Sequence, residues 1–214
     1  WRSRNRIMTP QGPIWLTIPV GKNRNRTIEE VLLPEGEWRT NHLETIRRVY
    51  SKQPHFETVM NIIEPWFKNK EINTLSELNQ GLIQDICSFL GINTRFIQSS
   101  QLGIEGGRVE RLIGICKSIG ADEYLSGPAA MNYIGDEFND SGIEMLWMEY
   151  GPFPKYAQIG PESGDEMSII DTMIMLGESA LDTTNVIPFH QKMIGLRTSE
   201  HLSIRGKFGQ YTLQ

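Results

Sequence analysis

Between Asn93 and Tyr150 the apolar positions switch repeatedly between a two-residue and a 3.6-residue period. Asn93-Thr-Arg-Phe-Ile-Gln98 reads as a strand, and residues 106–119 read as a helix with Val109, Leu112, Ile113, Cys116 and Ile119 on one face. Asp122-Glu-Tyr-Leu-Ser126 is a second strand. A helix then opens at Pro128 and passes through Met131 and Ile134 to about Phe138, and residues 143–150 form a third strand. Crossovers between neighbouring parallel strands are right-handed, and open sheets of this type hold ligands beyond the carboxyl ends of their strands. The βαβαβ order therefore predicts an α/β fold, an open and mainly parallel sheet with helices on both faces. It nominates three loops: Ser99 and Ser100 through Arg108, Ser126-Gly127-Pro128, and Tyr150 through Gln158.

The flanking segments predict what surrounds that sheet. Pro10-Gln-Gly-Pro13 is turn chemistry leading into a strand over 14–20, and 27–33 reads as another strand, so a small N-terminal strand lobe is expected. From Trp38 the period becomes helical. One helix, capped by Thr40 or Asn41, reaches about Ser51 with Leu43, Ile46, Val49 and Tyr50 at core spacing. A second carries Phe56, Met60, Ile63 and Trp66, and a third spans 75–90. After Gly151-Pro-Phe-Pro154 the chain is irregular until Ser168 caps a helix over 169–176 that stops at Gly177. Residues 205–214 read as a tail.

Composition narrows the class. A chain of 214 residues, 39% hydrophobic and 22% charged, can bury a sizeable core. No stretch approaches the ~20 apolar residues of a membrane span and no secretory signal is visible, so a cytoplasmic protein is expected. The numbering starts at Trp, which suggests a start inside a longer product. Cys87 and Cys116 lie in apolar helical patterns without a histidine at ligand spacing, and the four histidines are scattered, so both thiols read as reduced core residues and no metal site is expected.

The net charge of -5 conceals a gradient. Arg2, Arg4, Arg6, Lys22, Arg24 and Arg26 make residues 1–26 a +6 segment without an acid, against -11 for the remainder. In an extended stretch Arg2, Arg4 and Arg6 project from one face, where guanidinium forks suit phosphate, carboxylate or a nucleic-acid backbone. A solvated basic edge strand that discourages aggregation is the competing reading.

Ser126, Gly127 and Pro128 form the first phosphate candidate, and Gly107-Arg108 at the next helix start forms a second. Ordinary capping accounts for the same residues. For proton transfer the chain offers His42, His55, Asp171, Tyr150 and Tyr156. His42 near a helix start is the nominated base, with a structural histidine as the alternative. Asp171 sits in an otherwise apolar helix and therefore needs an arginine, hydroxyl or backbone partner. Absence of G-x-G-x-x-G and G-x-S-x-G argues against a nicotinamide cofactor and a serine nucleophile elbow.

Several segments taken together resemble the WbqC-like family of bacterial proteins associated with O-antigen and other surface-polysaccharide clusters. They are Trp1 to Ile7, Gly12 to Val20, Gly106 to Leu112, Gly120 to Ala129, Gly142-Ile143 with Tyr150, Tyr156 with Gln158, and Ser168 to Asp171. The resemblance covers residues 1–182 as one α/β domain whose usual first strand is expected to be missing, and 183–214 as a C-terminal extension. It implies a Rossmann-like or HUP-like sheet. It also implies a transferase that places glycine or another small acyl group on the amine of a nucleotide-linked amino sugar, with an aminoacyl-tRNA as one candidate donor. The implied ligand is a nucleotide or nucleotide sugar, and self-association stays open. The nominated site comprises His42, Asp171 and Tyr156 for catalysis. Arg4, Asn5, Arg6, Ser99, Ser100, Gly107, Arg108, Ser126, Gly127, Tyr150 and Gln158 are nominated for binding. A non-catalytic ligand-binding or assembly protein, or a HUP-type nucleotidyltransferase, stands as the alternative.

Overall fold

The structure is a computed structural model that describes residues 2–22, 25–148, 154–160, 167–181, 204–206 and 209–213. In chain order its strands and α-helices are β1 Arg4–Thr9, β2 Gly12–Thr17, α1 Trp38–Tyr50, α2 Phe56–Lys68, α3 Leu75–Phe89, β3 Arg95–Ile97 and α4 Arg108–Ser118. They continue with β4 Glu123–Ser126, β5 Glu144–Trp147, α5 Ile169–Leu176, β6 Ile204–Gly206 and β7 Gly209–Leu213. Two compact units divide them: Trp1–Ile92 with Phe153–Thr184, and Asn93–Pro152 with Asn185–Gln214.

In the first unit β1 and β2 form an antiparallel hairpin, with Arg6 opposite Trp15 and Thr9 opposite Gly12. Thr9 closes its two-residue turn. Its hydroxyl donates to the Gly12 carbonyl at 2.7 Å and accepts from the Gln11 N–H at 3.2 Å. The partner of β2 is thus Arg4–Thr9 and not the strand expected over 27–33. There the Thr27 N–H and hydroxyl donate to the Glu30 carboxylate at 2.6 and 3.0 Å, which curls the backbone into turns and leaves one bridge, Leu32 to Thr74.

α1, α2, α3 and α5 bury their apolar stripes together with Ile7 of β1; Ile46, Tyr50, Val59, Ile63, Leu78, Met173 and Ile174 have almost no exposed surface. Local chemistry fixes the helix ends. Thr74 and Glu77 make a reciprocal capping box at α3, and Arg39 donates to the carbonyls of Trp66, Asn69 and Ile72 just past Pro65, where α2 runs out of partners. Ser168 caps α5 at the residue the sequence indicates, and its N–H donates to the Arg6 carbonyl at 2.8 Å, fastening the helix to β1.

In the second unit β4 and β5 pair in parallel, Glu123 opposite Glu144 through Ser126 opposite Trp147. Behind them Cys116 of α4 is fully buried among Ile119, Ala121, Phe138 and Ile143, and Tyr124 stacks on Phe138 at 5.2 Å. Cys116 is the small core residue its pattern suggests. Burial pushes its thiol up to about 11, so it stays protonated.

Two expectations change here. The stretch after Pro128 is not an α-helix but a pair of 3-10 segments, Pro128–Asn132 and Asp136–Ser141, because Gly135 interrupts it and Gly142, in a left-handed conformation, ends it. β3 pairs in parallel with β7, which pairs antiparallel with β6, so among the described residues β3 is not hydrogen-bonded to β4. The tail read at 205–214 supplies those strands. The architecture is mixed α/β, with small sheets that include the parallel pair predicted between β4 and β5.

Candidate functional site

The first turn of α5 places a carboxylate in a helix that, Thr172 apart, is otherwise apolar. Asp171 is 0% exposed. Its Oδ1 accepts the Tyr50 hydroxyl in a very short hydrogen bond, and its Oδ2 accepts the Tyr156 hydroxyl at 2.5 Å and the Gln158 amide at 3.4 Å. The Tyr50 oxygen in turn accepts the Met8 backbone N–H at 3.0 Å. The Tyr156 oxygen accepts from Gln158 at 2.9 Å and from the Thr172 hydroxyl at 3.1 Å. The C-terminal end of α1 and the segment 154–160 thus meet on this side chain at the start of α5, and β1 joins the cluster through Tyr50.

The cluster grades from core to surface: Tyr50 is fully buried, Thr172 is buried, and Tyr156 and Gln158 are half-buried. Burial first, and then the Asp171 charge and the hydrogen bond to it, push both phenols far above the ordinary tyrosine range. They remain protonated donors at any physiological pH.

The segment 154–160 is held by contact with β1. Gly160 has φ +89°, and a Cβ there would lie 2.3 Å from the Thr9 carbonyl oxygen, so only glycine lets this backbone run so close to the hairpin.

Three of the nominated residues, Asp171, Tyr156 and Gln158, are brought together. Asp171 has the hydroxyl partners its burial demands. Tyr50, Thr172 and the Met8 N–H belong to the same cluster and were not nominated. Tyr50 falls at the end of an apolar helical stripe and reads as core, and only the need of Asp171 for a hydroxyl could have pointed to it.

His42 lies elsewhere in this unit. It is eight residues from Tyr50 on α1, about 12 Å along the axis, buried between Trp38 and Phe67 with ring centroids 5.6 and 6.0 Å away. Its Nε2 meets the Thr17 carbonyl at 3.2 Å, and burial holds its pKa below the ordinary histidine value.

On the hairpin the Arg4 and Arg6 guanidiniums stand over the Trp15 ring at 4.4 and 5.4 Å from its centroid, and that indole is 51% exposed. Asn5 is exposed on the alternate side and accepts the Arg6 N–H at 2.8 Å.

The remaining nominated residues belong to the second unit. Ser99 and Ser100 open a 3-10 turn, Ser99–Leu102. Gly107 precedes α4, but its N–H already donates to the Glu110 carboxylate at 2.8 Å. Arg108 stacks over Tyr133 at 4.4 Å. Ser126 ends β4, its carbonyl accepting the Met148 N–H at 2.8 Å, and Gly127 precedes a five-residue 3-10 segment with an ordinary φ of -71°. The helix-dipole argument for Ser126-Gly127 is therefore weakened, since so short a segment has little dipole to offer. Tyr150 lies outside the described residues. Among the described residues no three His, Cys, Asp or Glu side chains gather as a metal site, and no helix is long and apolar enough to cross a membrane.

Fold and site together define a mixed α/β protein in which β1, α1, α5 and the segment 154–160 build a carboxylate–tyrosine hub. The chain belongs to the WbqC-like protein family, whose model matches residues 1–183. It is 35% identical over 185 residues to the "Uncharacterized protein Rv1507c" of Mycobacterium tuberculosis (strain ATCC 25618 / H37Rv), a stretch covering 85% of this chain and 80% of that one. No solved structure matches it.

Proposed function

We propose that the protein is a transferase of bacterial surface-polysaccharide biosynthesis that moves a small acyl or aminoacyl group, such as glycyl, onto the amine of a nucleotide-linked amino sugar. The observation that carries this reading is the convergence of Tyr156, Gln158 and Asp171, which gives a half-buried phenol a buried carboxylate behind it. Acyl transfer to a sugar requires the ammonium to lose a proton before its nitrogen can attack the acyl carbonyl.

Tyr156 is suited to relay that proton: its oxygen takes it from the ammonium while its own proton passes to Asp171. Gln158 or Thr172 must yield its bond to the phenol oxygen for this to happen. The freed amine then attacks the acyl carbonyl; as the C–N bond forms, its nitrogen gives up a second proton to the leaving group, which departs with its electron pair. In this reading the base is the Asp171–Tyr156 pair rather than His42, whose ring nitrogen is held by a backbone carbonyl.

The test is turnover with a labelled acyl donor and a panel of UDP- and dTDP-linked amino sugars, with the melting temperature measured in parallel. Tyr156→Phe is expected to keep the ligand-induced rise in melting temperature and to lower kcat by 10²-fold or more, in line with loss of a general acid–base group. Absence of both product and thermal shift across the panel would sink the proposal.

One observation favours a second reading, that of a non-catalytic ligand-binding protein of the same pathway. Asp171 is wholly enclosed and each of its oxygens is engaged, which is how a structural carboxylate is held. Saturable binding without product would decide for it.

A further inference from the structure

We propose that the exposed face of the β1–β2 hairpin binds single-stranded RNA, a role that goes beyond the transferase reading and does not rest on it. β1 places an exposed Arg4 and a half-buried Arg6 on one face by strand alternation, and an exposed Arg2 lies two residues before Arg4. The register sets Trp15 directly opposite Arg6 and Thr17 directly opposite Arg4, so both share that face. The result is an exposed indole flanked by guanidiniums at 4.4 and 5.4 Å, with a hydroxyl beside them.

Sites for single-stranded nucleic acid combine these parts: cations that follow the backbone and a flat aromatic or guanidinium surface on which a base stacks. Alternate residues of a strand are about 7 Å apart. That spacing suits successive phosphates of an extended strand better than the adjoining phosphates of a nucleoside diphosphate. The Thr17 side chain is exposed and offers a donor and an acceptor to a ribose 2′-hydroxyl, which inclines the site to RNA over DNA.

Charge complementarity supports the same occupant. Residues 1–26 carry +6 in a chain whose remainder is -11, so a polyanion is drawn to this end and repelled by the rest. An edge hairpin that merely resists aggregation needs charge alone. It has no use for a half-exposed tryptophan with two guanidiniums over its ring.

The experiment is fluorescence anisotropy of a labelled U-rich RNA 12-mer over a salt series. The DNA of the same sequence and unlabelled UDP as competitor run alongside. Trp15→Ala is expected to weaken RNA binding on the order of tenfold, the loss of one stacked base. Arg4→Gln and Arg6→Gln should each flatten the slope of log K against log salt by about 0.7. The double variant Lys52→Gln/Lys70→Gln, which removes exposed charge from elsewhere, should leave affinity unchanged.

Arg4 and Trp15 are exposed and Arg6 is half-buried, and unchanged circular dichroism and melting temperature verify the fold of each variant. Three results overturn the proposal: RNA affinity equal in wild type and Trp15→Ala, DNA bound as tightly as RNA, or full displacement of the RNA by micromolar UDP. Amino-sugar transfer measured on the wild-type protein keeps the two ideas apart: RNA binding by a protein that turns over no amino sugar removes the transferase reading and leaves this one standing, and turnover by a protein that binds no RNA does the reverse.

Discussion

At the scale of single residues, Asp171 decides most of what can be tested. A buried carboxylate is tolerable only while its hydrogen bonds are complete, because an unsatisfied buried group costs about 1–3 kcal/mol or more. Tyr50→Phe removes the donor to Oδ1 and the oxygen that accepts the Met8 N–H in one step. It is expected to lower the urea midpoint by the equivalent of about 2–3 kcal/mol with an unchanged m-value. Tyr156→Phe, half-buried and backed by Gln158, should cost about 1 kcal/mol. The tyrosine pKa shifts fix the alkaline limb. Both phenols are raised in the folded state, so their contribution is complete below the unfolded value of about 10. It is lost as pH rises beyond that, because the unfolded chain sheds protons that the native one keeps. Stability measured from pH 9 to 11 should fall, and fall less in Tyr50→Phe. His42 has the opposite sign: burial depresses its pKa, so its share is present above about 6.5 and fades as pH drops below it.

At the scale of elements, close approach sets the sharpest constraints. In α3 a Cβ on Gly81 would come within 2.1 Å of the Trp66 ring, and that ring is tethered through its Nε1–H to the Asp85 carboxylate at 2.6 Å. Gly81→Ala should therefore destabilise by about 1–3 kcal/mol, although alanine in a helix interior ordinarily gains nearly 1 kcal/mol over glycine; chemical denaturation gives the sign. The helices were legible in the sequence because their stripes are long and strongly periodic. Ser168 and Gly177 even bracket α5 to the residue, and β4 and β5 were found with their parallel direction. β1 was not legible as the partner of β2. Its charged half shows no apolar alternation, and the pairing depends on the two-residue turn that Thr9 pins. The segment after Pro128 failed for a related reason: Met131 and Ile134 have helical spacing, but a run broken by Gly135 is too short to nucleate α-helix. Of the candidate site, Asp171, Tyr156 and Gln158 were within reach. Tyr50 was hidden, because a tyrosine at the end of an apolar stripe looks the same whether its hydroxyl meets water or a buried carboxylate.

At the scale of the whole molecule, charge is distributed against the average. A protein of net charge -5 is expected to be retained on a cation exchanger at neutral pH and low salt through its +6 end, and Arg4→Gln/Arg6→Gln should elute earlier. The bond from Tyr50 to Asp171 has a different reach: it joins positions 121 residues apart. Emerging from the ribosome, the first three helices must wait for α5 before the phenol finds its acceptor, with an open gap in their packing where Met173 and Ile174 will go. A nascent chain halted before Ser168 should accordingly stay sensitive to protease, and resistance should arise only once the last of these turns has cleared the exit tunnel.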